Sequence, residues 1–282
     1  MTESKTRRGG IHLLVALLVG VAFVGCGSRD RQDPILRLSA EEALEEGRAL
    51  LEAEKYGRAE PLLVHAFEVE PNSRNGREAL LLAADALYLY GGTESYIKCE
   101  AKYRDFLNRF PTSERSDYAQ FQVANCLAKR VEKPDRDQKV TRQALQAYEE
   151  LMRLYPTSSY AGEARGKIDE VLNNMAAHEL VVGRFYLKVR NCAASISRLE
   201  YLRDEYPNYV GMDEAYRLLG MSYTLCKRFE EAAKTFDEMQ QRFPESVHLI
   251  GLEKDREKYT KKAAKFDKQN EKRLAKMTKG RG

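Results

Sequence analysis

The sequence predicts an all-α solenoid of about five helix–turn–helix units with a capping helix at its C-terminal end. Three observations support this fold class. Apolar and small residues recur at helical spacing in residues 213–246, on both sides of a polar turn. Prolines that end such segments recur along the chain at spacings of 40, 45, 51 and 37 residues. The composition, with 32 % charged and 43 % hydrophobic residues and a net charge of +4, is typical of a soluble helical domain.

Residues 213–246 match the tetratricopeptide pattern, which is written W-x2-L-G-x2-Y, then A-x3-F, then P. The matching residues are Tyr216 (in place of Trp), Leu219, Gly220, Tyr223, Ala232, Phe236 and Pro244. Gly220 and Ala232 are small, which allows two antiparallel helices to approach closely. The earlier segments have the second pair of the pattern in the same phase, at Ala59/Leu63, Cys99/Tyr103, Ala144/Tyr148 and Ser195/Leu199. Five repeats within residues 39–246 follow from these matches.

The first 38 residues differ from the repeats. Basic residues at positions 5, 7 and 8 precede a short apolar run at 11–23, and small residues follow before Cys26. This order is typical of a secretory signal peptide, and the apolar run is too short to span a bilayer comfortably. We therefore assign residues 1–25 to a signal peptide and residues 26–38 to a polar tether.

The segment Phe23-Val24-Gly25-Cys26 resembles a bacterial lipobox, although Leu is commonest where Phe23 stands. The resemblance implies cleavage before Cys26 and a covalent lipid on that residue, which would hold the chain on a membrane. Gly27 after the cysteine, in place of Asp, implies sorting to the outer membrane. The alternative is a soluble exported protein that is cleaved elsewhere, in which Cys26 has no role.

Each repeat divides into a first helix, A, and a second helix, B. Ser39 and Glu42 form a capping box at the start of helix 1A. A polar insertion at 131–139 separates helix 3A from helix 3B. No turn cluster interrupts residues 160–189, so helix 4A is predicted to be a single overlong helix. The predicted spans are 40–53 for 1A, 57–69 for 1B, 75–90 for 2A, 114–130 for 3A, 160–189 for 4A and 192–205 for 4B.

Residues 247–282 are predicted to form the capping helix and a basic tail. The segment 252–282 contains twelve Lys or Arg residues and five Asp or Glu residues. A polar outer surface suits the terminal unit of a solenoid, because its inner face covers the last repeat. The alternative is an electrostatic contact of the tail with anionic head groups or with an acidic partner. Nucleic acid is not expected as a partner of an exported chain.

No pattern of catalytic or metal-binding residues is present in the sequence. The four histidines are His12, His65, His178 and His248, and none has a second His or Cys beside it at the spacing of a zinc site. A Gly-rich phosphate loop is also absent, and the acidic residues are scattered over predicted helix surfaces. We therefore expect no enzyme, no metal and no cofactor apart from the lipid on Cys26.

The four remaining cysteines are an even number, which favours pairing in an oxidising compartment. Cys99 and Cys126 lie at similar distances from the turn between helices 2B and 3A, and Cys192 and Cys226 do so about the turn between 4B and 5A. Each pair can therefore lie level on adjacent antiparallel helices. The alternative is that each cysteine is a small buried apolar residue, a role that suits Cys99 at the alanine position of its repeat.

The A helices of such a solenoid line one face, which can bind an extended or helical peptide. The phase of the repeats places four candidate partner-binding residues on this face, namely Tyr88, Tyr118, Phe121 and Asn125. The alternative is that Tyr118 and Phe121 pack against helix 2B as core, since aromatic residues at helical spacing are commonly buried.

The lipobox, the five repeats and several local motifs together resemble the BamD family of outer-membrane lipoproteins. The motifs are Asp117-Tyr118-x2-Phe121, Asp135-Arg136-Asp137, Phe185-Tyr186 and Arg198 before Tyr206-Pro207. The resemblance covers about residues 40–246, and the basic tail and the cysteine content depart from it. It implies a non-catalytic scaffold, anchored by lipid on the periplasmic face of the outer membrane, in the machinery that inserts β-barrel proteins.

The resemblance also implies the partners of the chain. The C-terminal repeats would bind a POTRA domain of the barrel subunit BamA, beside other Bam subunits. The N-terminal repeats would receive the C-terminal signal of unfolded outer membrane proteins. Tyr186 and Arg198 fall in the part that would face BamA, and the alternative for Arg198 is an ion pair within the chain to Asp204 or Glu205. The rival function is that of another envelope lipoprotein, pilotin-like or a coordination factor, whose repeats would follow a more uniform period of roughly 34 residues.

Overall fold

A computed structural model of the chain describes residues 33–252 and, beyond them, residues 254, 257, 261, 268 and 272. Within residues 33–252, ten α-helices follow one another without a strand, between 3-10 helices at Pro34–Arg37 and Val247–Leu249. The α-helices are α1 (Ala40–Glu52), α2 (Tyr56–Val69), α3 (Arg74–Tyr90), α4 (Thr93–Arg109), α5 (Ser116–Ala128), α6 (Lys139–Leu154), α7 (Ala161–Lys188), α8 (Cys192–Glu205), α9 (Met212–Leu225) and α10 (Phe229–Arg242). Each helix packs mainly on its neighbours in sequence, so the predicted all-α solenoid of five helix pairs is confirmed.

Local sequence signals explain where several helices begin and end. The Ser39 hydroxyl accepts a hydrogen bond from the Glu42 amide at 3.3 Å, and the Glu42 carboxylate accepts one from the Ser39 amide at 2.9 Å. The predicted capping box therefore starts α1. Helix α3 ends at Tyr90 because Gly91 follows with a φ of +79°, a conformation that favours glycine.

Small residues at the predicted positions allow the two helices of a repeat to touch. A Cβ atom added to the glycine at position 47, 183 or 220 would collide with a side chain of the second helix. The facing side chains are Leu63, Leu199 and Phe236, respectively. Glycine therefore sets the distance between the helices in repeats one, four and five.

The two irregular features of the sequence contact each other in the structure. Helix α7 is a single helix of 28 residues, as predicted for helix 4A, and the polar insertion lies between α5 and α6. The Asn174 amide donates a hydrogen bond to the carbonyl of Glu132 at 3.2 Å. His178 Nδ1 lies 2.6 Å from the carbonyl oxygen of Pro134. The extended helix thus holds the insertion of the preceding repeat.

Three clusters of buried side chains form the core. The N-terminal cluster surrounds Leu63, the central one Tyr148, and the C-terminal one Leu219. Helix α7 supplies Val171 to the central cluster and Leu180 to the C-terminal cluster. Leu252, 6 % exposed, packs into the C-terminal cluster at the start of the predicted capping region.

The predicted membrane-targeting segments lie mainly outside the residues that the structure describes. Among the described residues, no helix combines the length and the apolar character that a membrane crossing requires. The predicted signal peptide, Cys26 and most of the basic tail lie outside the described residues.

Candidate partner-binding surfaces

One surface is built from the first helices of repeats two and three, and we call it the α3/α5 face. Its residues are three, four or eight positions apart, so they form one stripe along each helix. The residues are Arg74, Arg77, Asp85 and Tyr88 on α3, Arg115 just before α5, and Tyr118, Gln122 and Asn125 on α5.

Asp85 joins the two helices at the centre of the α3/α5 face. Its Oδ1 accepts hydrogen bonds from the hydroxyls of Tyr103 and Tyr118, the latter at 2.5 Å. Burial raises the pKa of Asp85 above its usual value, although both tyrosines and the charge of Arg115 act to lower it. Burial and the adjacent Asp85 carboxyl raise the pKa of Tyr118 in turn, so its hydroxyl remains a donor. Asp85 therefore fixes the tyrosines in place.

Tyr118 and Phe121 lie one helical turn apart and differ in exposure. Tyr118 is partly buried, and the guanidinium carbon of Arg115 lies 4.6 Å from its ring centroid. Phe121 is only 3 % exposed, and its ring stacks on Tyr160 with centroids 5.0 Å apart. The prediction that Phe121 meets a partner is corrected, because Tyr160 at the start of α7 covers it and places it in the central core.

Tyr88 and Asn125 lie further along the same face. Tyr88 is partly buried beside Tyr96, with ring centroids 5.9 Å apart, and the Lys129 ammonium lies 6.0 Å from its ring. Burial raises the pKa of Tyr88. Asn125 accepts a hydrogen bond from the Tyr148 hydroxyl at 2.7 Å and donates one to Gln122 at 3.0 Å. The Asn125 side chain therefore forms hydrogen bonds within the chain and fixes the positions of Gln122 and Tyr148.

A second surface lies where α7 ends and α8 begins. The Arg198 guanidinium donates to the Glu179 carboxylate at 3.2 Å. The predicted alternative for Arg198, a pair with Asp204 or Glu205, is therefore corrected: an intramolecular pair exists, but its acid comes from α7. Asp204 pairs instead with Arg203 at 2.8 Å. The Arg198 side chain remains 47 % exposed.

Exposed apolar side chains lie at the C-terminal end of α7, which belongs to this second surface. Tyr186 is partly buried, and its ring lies 5.7 Å from the ring of Phe185, which is 58 % exposed. Val189, one turn after Phe185, is 53 % exposed. Large apolar side chains exposed together are a common feature of protein-binding surfaces.

Disulfide bonds join Cys99 to Cys126 and Cys192 to Cys226, with Cα–Cα distances of 6.5 and 5.6 Å. The first bond links the second helix of repeat two to the first helix of repeat three, and the second links α8 of repeat four to the residue that follows α9 of repeat five. Cys99 and Cys126 are also fully buried, so the first bond forms part of the central core.

A basic cleft, which was not predicted from the sequence, lies at one end of the α3/α5 face. The cleft has a volume of about 570 Å³ and is lined by Arg74, Arg77, Glu78, Leu81, Phe106, Arg115 and the segment 112–114. The signal in the sequence was the spacing of positions 74, 77, 81, 85 and 88, which follow one side of helix 2A. Within the described part of the chain, no group of three or more His, Cys, Asp or Glu side chains is placed to hold a metal ion.

Two sequence profiles match the chain. The profile described as "YfiO: Outer membrane lipoprotein" matches residues 37–227, and a tetratricopeptide repeat profile matches residues 214–246. Among solved structures, the TPR2AB-domain:pHSP90-complex of yeast Sti1 covers 84 % of this chain and 95 % of its own, with 13 % identity and a TM-score of 0.40.

Several curated relatives match over most of their length. The outer membrane protein assembly factor BamD of Rickettsia prowazekii is 30 % identical over 236 residues, which cover 83 % of this chain and 92 % of that protein. The BamD of Neisseria gonorrhoeae is 26 % identical over 84 % of this chain and 93 % of its own. The BamD of Caulobacter vibrioides is 25 % identical over 82 % and 75 %, respectively. Since the lipoprotein profile spans more than half of the sequence and these relatives match nearly all of the repeats, the chain belongs to the YfiO/BamD family of outer membrane lipoproteins.

Proposed function

We propose that this chain is an outer-membrane-anchored scaffold of the β-barrel assembly machinery. The observation that carries the proposal is the match to assembly factors over 82 to 84 % of the chain. A helical-repeat solenoid offers extended binding surfaces. Its role in this proposal is to hold other proteins, and no catalytic step is assigned to it.

A lipid on Cys26 would attach the scaffold to the periplasmic face of the outer membrane. Asp33, the first described residue, lies seven positions after Cys26, and a chain of that length reaches about 25 Å at most when extended. The carbonyl of Leu38 lies 3.0 Å from His65 Nε2 on α2, which fixes the start of the folded part against repeat one. Repeat one would therefore stay close to the membrane surface.

Mass spectrometry of the mature protein tests the anchor. We expect a lipid mass on an N-terminal Cys26, and we expect a Cys26→Ala variant to leave the membrane fraction. Unmodified Cys26 in protein that still sediments with outer membranes would show that another part of the chain provides the attachment.

The second surface, at the junction of α7 and α8, is the proposed docking region for a POTRA domain of a BamA-like barrel protein. Its support is the exposed Arg198 guanidinium on α8, together with the exposed apolar side chains of Phe185 and Val189 at the end of α7. A guanidinium can bind a carboxylate of the partner through two hydrogen bonds even while one donor contacts Glu179. The α3/α5 face is the proposed site for the C-terminal signal of unfolded outer membrane proteins.

Affinity capture from detergent-solubilised outer membranes tests the docking proposal. We expect the tagged protein to recover a barrel protein with POTRA domains, and an Arg198→Gln variant to recover at least about tenfold less, the loss expected from one charge-assisted contact. Glu179→Gln is the matched control, because it removes the same ion pair within the chain and keeps the Arg198 charge. Equal losses in both variants would assign Arg198 a role in folding only. Repeated recovery of other envelope proteins by the wild-type chain, without a barrel protein, would favour the rival lipoprotein function.

A further inference from the structure

The basic cleft at the end of the α3/α5 face carries more positive than negative charge. Arg74, Arg77 and Arg115 line it, and all three side chains are exposed. Among residues 33–252, no carboxylate forms an ion pair with any of the three guanidinium groups. Three cations in one cleft repel one another, and a bound anion would relieve that repulsion.

The acidic residues of the cleft do not cancel this charge. Glu78 pairs with Arg48 of repeat one at 2.5 Å, so its charge is already matched. Glu114 is the other acidic residue in the lining, and it lies exposed at the rim. Glu114 is the one unmatched carboxylate in the lining, and Asp85 beyond the lining interacts with the charge of Arg115. The three arginines still leave a net positive charge, so the cleft favours an anionic ligand.

Aromatic rings hold two of the arginines in position. The guanidinium carbon of Arg77 lies 5.7 Å from the ring centroid of Phe110, and that of Arg115 lies 4.6 Å from the ring of Tyr118. Stacking of this kind restricts the guanidinium plane and leaves its N–H groups free to donate. Guanidinium groups fixed in this way suit a carboxylate, which they can bind through two parallel hydrogen bonds.

The cleft continues into a surface for a peptide. From Arg77, the stripe on α3 runs through Asp85 to Tyr88, beside Tyr118 and Asn125 on α5. The carboxyl of Asp85 is occupied by two tyrosine hydroxyls, so this middle part favours neutral side chains over a second anion. An occupant with one negative end and a neutral body fits this distribution of charge.

We propose that Arg74, Arg77 and Arg115 bind the free α-carboxylate of an extended peptide whose preceding residues lie along the α3/α5 face toward Tyr88. The proposal rests on the proposed function, since it specifies how the C-terminal signal of an unfolded barrel protein is recognised. It assigns the terminal carboxylate to the arginines and the side chains before it to the tyrosines.

Fluorescence anisotropy with two labelled ten-residue peptides tests the proposal. Both carry the last residues of a transmembrane β-strand, which alternate apolar and polar side chains; one ends in a free carboxylate and the other in a carboxamide. We expect the amide to bind about ten- to a hundredfold more weakly, because charge-assisted hydrogen bonds are lost. An Arg74→Gln/Arg77→Gln variant should bind the acid as weakly as the wild type binds the amide.

The controls are Arg142→Gln and Arg165→Gln, which remove exposed arginines outside the cleft and should leave both affinities unchanged. Equal affinity of the wild type for acid and amide would overturn the carboxylate assignment and leave peptide capture intact. Absence of any peptide binding would overturn substrate capture by this face as well, whereas recovery of the barrel protein through Arg198 would still support the scaffold function. Binding of the cleft to anionic phospholipid vesicles, without a difference between acid and amide, would identify a lipid head group as the ligand and contradict the proposal.

Discussion

At the scale of single residues, Gly220 marks the closest contact between two helices of a repeat. A Cβ at this position would fall well inside van der Waals contact of the Phe236 ring, which is 1 % exposed and has no room to retreat. Gly166 on α7 is also helical, but a Cβ there would meet nothing within 4 Å. Alanine substitutions at these two positions therefore measure two effects separately: side-chain packing at Gly220 and helix propensity at Gly166.

We expect Gly220→Ala to lower the free energy of unfolding by about 1–3 kcal/mol, the usual cost of overpacking a core. Gly166→Ala should raise it by about 0.5–1 kcal/mol, because alanine favours a helix more than glycine does. Urea denaturation of both variants measures the two effects. A stabilised Gly220→Ala variant would mean that the helices of repeat five can move apart at little cost.

Asp85 is the residue at which pH should affect stability most directly. Its pKa is raised in the folded chain, so the folded state binds a proton more readily than the unfolded state does. Its contribution to stability is therefore fully present below the unfolded pKa of about 4, and is lost as pH rises through the higher folded pKa.

Replacing Asp85 by Asn removes this titration and keeps an oxygen that accepts from Tyr118. We expect the stability of the wild type, relative to Asp85→Asn, to fall as pH rises above about 4, by at most about 1.4 kcal/mol per pH unit. Unfolding curves between pH 4 and 7 give the difference. A relative stability that rises over this range would show that the tyrosine hydrogen bonds outweigh burial.

At the scale of elements, α7 forms hydrogen bonds to two different loops, through Asn173 to one loop and through Asn174 and His178 to the other. Asn174 and His178 contact the carbonyls of Glu132 and Pro134 in the insertion. Asn173 accepts a hydrogen bond from the Val210 amide at 3.1 Å, in the loop that leads to α9. The extra length of α7 therefore has a structural purpose, since one helix orders loops of the preceding and the following repeat.

Asn174→Ala combined with His178→Ala should loosen the insertion and leave the rest of the fold in place. We expect amide hydrogen exchange at 131–138 to become faster by about tenfold or more, because each lost hydrogen bond contributes about 1 kcal/mol. Asn173→Ala is the matched control, and it should affect the Val210 amide alone. Faster exchange throughout α7 in the double variant would indicate a damaged helix and contradict a local role.

Elements were more predictable from the sequence than the contacts of single side chains. Helix α7 was predictable because no cluster of turn residues interrupts 160–189, which is a property of the local sequence. The burial of Phe121 remained one of two alternatives, since it depends on Tyr160 from the next repeat. The role of Asp85 depends on Tyr118, 33 positions away. A repeat pattern gives the phase of each helix, but the neighbouring repeat decides which side chains of one face stay exposed.

At the scale of the whole molecule, the two disulfides lie on either side of α7. Cys99–Cys126 joins repeats two and three, and Cys192–Cys226 joins repeats four and five. Repeats in a solenoid stabilise mainly their neighbours, and α7 is the helix that contributes to both the central and the C-terminal core. Each disulfide should therefore stabilise its own side of α7.

Removing either bond as a Cys→Ala pair should lower the free energy of unfolding by about 3–4 kcal/mol, the loop-closure value for separations of 27 and 34 residues. We expect hydrogen exchange to accelerate most in α3–α6 for the Cys99/Cys126 pair and in α8–α10 for the Cys192/Cys226 pair. Reduction of both disulfides in the wild type should accelerate hydrogen exchange in both regions. If hydrogen exchange instead accelerated uniformly across the chain in each variant, α7 would have to couple the two cores into one cooperative unit. The solenoid would then unfold as a single domain, although each helix packs mainly on its neighbours.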